Sequence, residues 1–154
     1  MKRFFSLALI LLASCTPGGV TPLGGSGANP QNVVTVSVSL SAFGLTQTPA
    51  GPALGYSPAI VTVPVGSGIR FVNTDNTTHT ASAVPGSVFP ASSPLQFTAT
   101  TPSSANAVSS GTWSSGALQA GTSSQVFLVD RPGTYLFGCF YHYSGKMRGE
   151  IVAQ

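Results

Sequence analysis

The sequence predicts an all-β domain, an antiparallel sandwich or barrel, on three observations. Valines alternate with hydroxyl residues from Val34 to Ser39, a period of two carried by β-branched side chains. Glycine and proline together supply 30 of the 154 residues, a density that long helices do not tolerate. No stretch repeats apolar residues at three-to-four spacing over helical length, whereas short apolar runs recur between turn signals.

In chain order, Val34, Val36 and Val38 mark the first strand. Residues 60–63 and 69–72 give two more, separated by Gly66-Ser67-Gly68. Residues 125–129, 134–137 and 149–152 follow, divided by Asp130-Arg131-Pro132-Gly133 and by Ser144-Gly145. Between these halves, residues 84–111 are rich in Ser, Thr, Ala and Pro, with Val88, Phe89, Leu95 and Phe97 as expected anchors. That segment reads as a surface excursion with one short extra strand.

The first fifteen residues read as a targeting segment. Met1-Lys2-Arg3 is a short positive stretch and residues 4–13 an apolar run too short to cross a bilayer as a mature helix. Leu12-Ala13-Ser14-Cys15 resembles the bacterial lipobox. The resemblance implies a lipoprotein signal peptide over residues 1–14, cleavage before Cys15, and acyl chains on the sulfur and amino group of Cys15. The alternative is an ordinary secretory signal with Cys15 near the cleavage site by coincidence. More than one acyl chain anchors a protein stably without a membrane-spanning helix. Residues 15–32 then form a Gly- and Pro-rich linker, flexible by composition, and residues 33–154 the folded domain. The expected location is the periplasmic or extracytoplasmic side of a bacterial membrane, held there through the lipid.

Charged residues make up only 6% of the chain. Beyond the leader, Arg70, Arg131, Lys146 and Arg148 stand against Asp75, Asp130 and Glu150, a net charge of about +1 with His neutral. Nucleic-acid binding would need Lys and Arg clustered on one face, so no nucleic-acid partner is expected. Long-range steering of any partner is weak for the same reason.

The chemistry concentrates in one segment. Cys139, His142 and Met147 fall within nine residues, and His79 is the only other histidine. One thiolate, two imidazoles and one thioether form the donor set of a blue-copper electron-transfer site, a trigonal Cys-His-His plane with a weak axial Met. The chain holds two Cys, two His and two Met. With Met1 the initiator and Cys15 assigned to the lipobox, one copy of each donor type and a second His remain. Zn(II) is the chemical competitor, since a Cys-His-His site with an open position also suits it; Met is a poor zinc ligand, which counts against that reading. There is no Cys-x-x-Cys-His motif for haem attachment. A second copper would need more Cys or His than exist, so multicopper oxidase or nitrite reductase chemistry lies outside this chain, and no enzymatic activity is expected.

Over residues 56–152, with a weaker match at 33–39, the chain resembles the cupredoxins, in their plastocyanin, pseudoazurin and amicyanin branch. One half of the pattern is Pro58, Ile60, Val63, Gly66, Ile69, Phe71, Asn73, Asp75 and His79. The other is residues 113–118, Gly121, Phe127 and residues 133–139, then Cys-x2-His-x4-Met at 139, 142 and 147, and the closing strand 149–152. The resemblance implies a Greek-key β-sandwich or barrel of about seven to eight strands. It also implies one copper ion cycling between Cu(I) and Cu(II), with His79, Cys139, His142 and Met147 as its metal ligands. Family members commonly carry Asn after the first ligand His, tying the two ligand loops together; Thr80 stands there, and Asn73 and Thr80 are expected to support the ligands from outside. The loop also lacks its usual Pro. Phe140, Tyr141 and Tyr143 surround His142 and read either as a docking surface or as ordinary packing of the sandwich end.

The function that follows is a monomeric, membrane-tethered carrier, shuttling one electron between a redox donor and a redox acceptor through the edge of His142. A copper-binding protein for storage, delivery or sensing without redox turnover is the alternative.

Overall fold

The computed structural model describes residue 30, residues 32–94 and residues 101–154. The predicted leader, Cys15, nearly all of the linker, and the expected anchors Leu95 and Phe97 lie outside the described residues. The strands are β1 (Val33–Val38), β2 (Thr46–Thr48), β3 (Gly51–Ala53), β4 (Tyr56–Ser57), β5 (Ile60–Val63), β6 (Gly68–Asn73), β7 (Ser82–Val84), β8 (Phe127–Leu128), β9 (Gly133–Gly138) and β10 (Arg148–Ala153). Two single 3-10 turns, Val108–Ser110 and Tyr143–Gly145, are the helical structure among the described residues. No helix there is long and apolar enough to cross a membrane.

Two four-stranded sheets, ordered β4-β1-β6-β8 and β5-β10-β9-β7, enclose the core, and β2-β3 forms a separate hairpin. The all-β class matches the expectation, with ten strands in place of seven or eight. Four of the ten, β2, β3, β4 and β7, have two or three residues each and show no readable alternation in the sequence. The sheets are mixed, which corrects the purely antiparallel expectation. β1 runs parallel to β6, from Val33↔Gly68 to Val38↔Asn73, and β5 parallel to β10, from Ile60↔Glu150 to Ala153↔Val63. Parallel neighbours need a long connection between them, and both pairs have one: each partner is separated by at least one strand of the other sheet.

The core follows the alternation. Val36 and Val38 of β1, Ile69 and Phe71 of β6, Phe137 of β9 and Ile151 of β10 are fully buried in one cluster drawn from both sheets. At its centre Tyr56, Phe71, Trp113, Phe127 and Phe137 interlock, with the Phe71 and Trp113 rings stacked at 5.9 Å and Phe71 edge-on to Phe137 at 5.1 Å. Each such side chain contributes about 1.5–3 kcal/mol by leaving water. On the outer face of the second sheet, Ala50, Val84, Leu136 and Tyr143 form a smaller cluster, closed by Phe89. Val88, expected as an anchor, is exposed. Phe89, also expected as an anchor, does anchor the segment: its N–H bonds to the Ala50 carbonyl and its ring lies under the Arg148 guanidinium.

This architecture brings two loops to one end of the sandwich. Ser82 opens β7 opposite Gly138, the last residue of β9, and Gly138 in turn faces Arg148, the first residue of β10. The loop ahead of β7 and the β9–β10 loop therefore meet.

Candidate metal centre

The β9–β10 loop is short and fully specified by its backbone. Cys139 is the first residue after β9, and its N–H bonds to the carbonyl of Met147, the last residue before β10 (2.9 Å). Between them, the His142 carbonyl accepts from the N–H groups of Gly145 (3.0 Å) and Met147 (3.3 Å), closing the Tyr143–Gly145 turn. Lys146 ends that turn in the left-handed region, and its carbonyl accepts from Leu54 N–H (2.9 Å). The second loop delivers His79, which exchanges backbone hydrogen bonds with Leu118 in both directions (3.1 and 2.8 Å).

Together these place three soft donors in a triangle. Nδ1 of His79 lies 3.2 Å from Nδ1 of His142, and Sγ of Cys139 lies 3.8 Å from the first and 3.5 Å from the second. A point equidistant from all three sits roughly 2.0 Å from each, within the ~2.0–2.3 Å range of imidazole and thiolate bonds to a metal ion of this size. Cys139 and His79 are fully buried and Cys139 is a free thiol, while His142 is only half-buried. The donors thus fit a type 1 copper site, with one imidazole edge left towards solvent. Met147 is fully buried and bonded through its backbone to both Cys139 and His142.

Electrostatics favour the neutral, donor form of His79. Burial lowers the His79 pKa, His142 beside it lowers it further, and the neighbouring Asp75 offsets only part of this. Burial pushes the Cys139 thiol up, against hydrogen bonds from the Thr80 backbone and from the loop itself. Holding a metal in the triangle would require Cys139 as the thiolate, with its proton released.

Around the donors, Thr80 does work that the absent Asn was expected to do. Its Oγ1 accepts from Phe140 N–H (2.8 Å), joining the two loops, and its own N–H points at Cys139 Sγ (3.4 Å). Asn73 organises the His79 loop: its Nδ2 donates to the carbonyls of Thr77 and Leu118 (both 2.8 Å) and its Oδ1 accepts from Asp75 N–H (2.8 Å). Tyr56 donates its hydroxyl to the Thr80 carbonyl, linking this shell to the aromatic core.

Of the three aromatic residues expected at the surface, Phe140 and Tyr141 are exposed. Tyr143 is not, which corrects its assignment to a docking surface. It is 1% exposed and turned back into the outer cluster. Gly138 makes room for it, since a Cβ there would lie 2.7 Å from the Tyr143 ring, and the Arg148 guanidinium covers the ring at 5.0 Å.

Sequence reasoning missed Asp75 as a functional residue. Its Oδ2 lies 3.3 Å from His79 Nε2, and the side chain is almost buried. Although burial pushes its pKa up, hydrogen bonds from Leu40, Asn76, His79 and Ser41 outweigh this and hold the carboxyl well below the ordinary carboxylate range. Its position four residues before the histidine was the available signal.

A family profile described as copper binding proteins, plastocyanin/azurin family, matches residues 44–154. Similar solved structures include a mutant plastocyanin of fern, 22% identical, covering 79% of this chain and 100% of that chain at a TM-score of 0.50. A purple cupredoxin from Nitrosopumilus maritimus is 19% identical, covering 78% and 98% at a TM-score of 0.49. An auracyanin from the photosynthetic bacterium Roseiflexus castenholzii is 20% identical, covering 80% and 97% at a TM-score of 0.46. No curated protein sequence matches the chain. The likeness to the fern protein is one of fold. The profile spans most of the chain and includes both loops that build the donor triangle, so the chain belongs to the plastocyanin/azurin family of copper-binding proteins.

Proposed function

We propose that this protein is a single-copper electron carrier, with His79, Cys139 and His142 as equatorial ligands and Met147 as the axial one. The observation that carries this reading is the asymmetric donor triangle: two donors sealed in the core, and a third, His142, with its edge towards solvent. Copper held there supplies a one-electron Cu(I)/Cu(II) couple. The protein's part is to keep its donors in one arrangement for both oxidation states. Cys139 is held by Met147 and Thr80, His79 by Leu118 and Asp75, and His142 by the turn that its carbonyl closes. Each donor is tied at the backbone, so little has room to reorganise. Phe140 and Tyr141, exposed beside His142, offer a partner a small aromatic contact, in keeping with the small interfaces of transient redox encounters. The lipobox-like Cys15 and the linker after it support a carrier tethered to the outer side of a bacterial membrane, free to meet a donor and an acceptor.

The test is optical and electrochemical. Purified copper(II) protein should be intensely coloured by thiolate-to-copper charge transfer, bleach on reduction and give a reversible one-electron wave. Cys139→Ala should lose the colour entirely; a variant that stays coloured removes Cys139 from the site. Rapid loss of copper to an apo acceptor, without a reversible wave, would instead mark a copper-handling protein.

A further inference from the structure

We propose that Asp75 is a positioning residue for the metal centre: its carboxylate takes the Nε2–H of His79, so that the ring presents Nδ1 as an unprotonated, strengthened donor. This rests on the reading of His79 as a ligand. The two ring nitrogens face opposite ways. Nε2 is 3.3 Å from Asp75 Oδ2, while Nδ1 is 3.2 Å from His142 Nδ1 and 3.8 Å from Cys139 Sγ. A neutral imidazole carries one proton, and a carboxylate can only accept. The nitrogen facing Asp75 is therefore the protonated one, and the nitrogen facing the triangle is the one with a free lone pair.

Asp75 is itself clamped. Oδ2 also accepts from Leu40 N–H (2.8 Å), Ser41 N–H (3.3 Å) and Ser39 Oγ (3.3 Å), and Oδ1 accepts from Asn76 N–H (2.7 Å). Four of the five groups that address this carboxylate belong to the protein's framework and one to the histidine. The turn after β1 thus sets the orientation of the His79 ring. β1 lies in one sheet, whereas Cys139 hangs from β9 of the other. The triangle is therefore aligned by both sheets at once, and Asp75 is the link from the first.

An anionic acceptor on Nε2 raises the basicity of Nδ1, and outer partners of this kind typically change metal affinity 10–100-fold. Stronger nitrogen donation favours Cu(II) over Cu(I), so the carboxylate holds the reduction potential lower than a neutral acceptor would.

Two experiments test this. In metal-free, 15N-labelled wild-type protein, NMR should show His79 as the Nε2–H tautomer; an Nδ1–H tautomer overturns the proposal. In copper-loaded protein, Asp75→Asn should keep the charge-transfer colour and the far-UV circular dichroism, raise the reduction potential, and weaken metal affinity roughly 10–100-fold in a chelator competition. Asp75→Glu should restore part of both. A folded Asp75→Asn variant with wild-type potential and affinity overturns the proposal and leaves the ligand set standing. A His79→Ala variant that keeps copper and colour would instead remove His79 from the ligand set, and Asp75 with it. Should Asp75→Asn fail to fold, the tautomer in the wild-type protein still decides.

Discussion

Met147 is set by its backbone and by the space left beside it. Its carbonyl and N–H bind Cys139 and His142, so neither neighbour moves without it. Its side chain lies against Gly55, where φ is +80° and a Cβ would come within 2.7 Å of Met147 Cγ and 3.3 Å of Sδ. Gly55 is needed there twice, for the left-handed backbone and for the room. Replacing Met147 by Leu conserves volume and should cost less than about 1.5 kcal/mol. The variant should keep copper bound and raise the reduction potential, because a weak donor that favours Cu(II) is lost. Cyclic voltammetry reads this directly, and an unchanged potential would show that the thioether is not a donor. The same residue scale separates Thr80 from the Asn it replaces: one hydroxyl bridges to Phe140 N–H, and the Thr80 backbone supplies the bond to sulfur.

β10 shows how an element can carry charge on a face that does not see water. Ile151 and Ala153 point into the main core, while Arg148 and Glu150 point outwards, where alternation alone would leave them solvated. The segment after β7 covers that face instead. Arg148 lies between the Phe89 and Tyr143 rings, 5.1 and 5.0 Å from their centroids, and donates to the Pro90 carbonyl (3.1 Å). Glu150 is 1% exposed, and neither of its oxygens has a partner at hydrogen-bond distance. Burial raises its pKa above the ordinary 4.5, the Ala50 backbone offsetting only part. The sign follows from linkage. Over the window from the unfolded value up to the folded one, the native state binds more protons than the unfolded chain, so stability falls as pH rises. Glu150→Gln should therefore be more stable than wild type at pH 7.5, by about 1 kcal/mol or roughly 3 °C in Tm. The difference should vanish below about pH 4, where the wild-type carboxyl is protonated in both states. Thermal melts across pH check it, and a variant less stable at pH 7.5 would mean that the carboxylate is satisfied in solution.

For the molecule as a whole, the sparse charge decides how it meets partners. With about seven charges beyond the leader, association has little field to steer it, and charge-steered rates are the ones that fall steeply with salt. Electron-transfer rates with a physiological partner should vary only weakly across a stopped-flow salt series. With Tyr143 buried, Tyr141 is the residue to perturb: Tyr141→Glu should slow transfer more than Lys146→Gln. A steep salt dependence would show that the partner reads charge. Tethering is tested separately. Native protein should partition into detergent and label with a palmitate analogue, and Cys15→Ser should abolish both; unmodified soluble protein would sink the lipid anchor and leave the copper site untouched.

What the sequence determined by itself is what short-range chemistry encodes. The valine alternation of β1 and the branched runs of β5, β6, β9 and β10 specify extended backbone with one apolar face, and they lie where the structure has them. The spacing of Cys139, His142 and Met147 places three donors in one loop, because nine residues leave the backbone few ways to turn. Tertiary structure alone decided the rest. That β1 pairs with β6 and β5 with β10 in parallel depends on many weak contacts across the core, which no local pattern carries. Tyr143 is buried and Tyr141 exposed although they flank the same histidine, since only one of them meets Gly138 and Arg148. Asp75 reads in sequence as one position of the family pattern, with no role attached. It becomes part of the centre only when folding brings the turn after β1 and the His79 ring to the same carboxylate, a meeting of residues more than thirty positions apart.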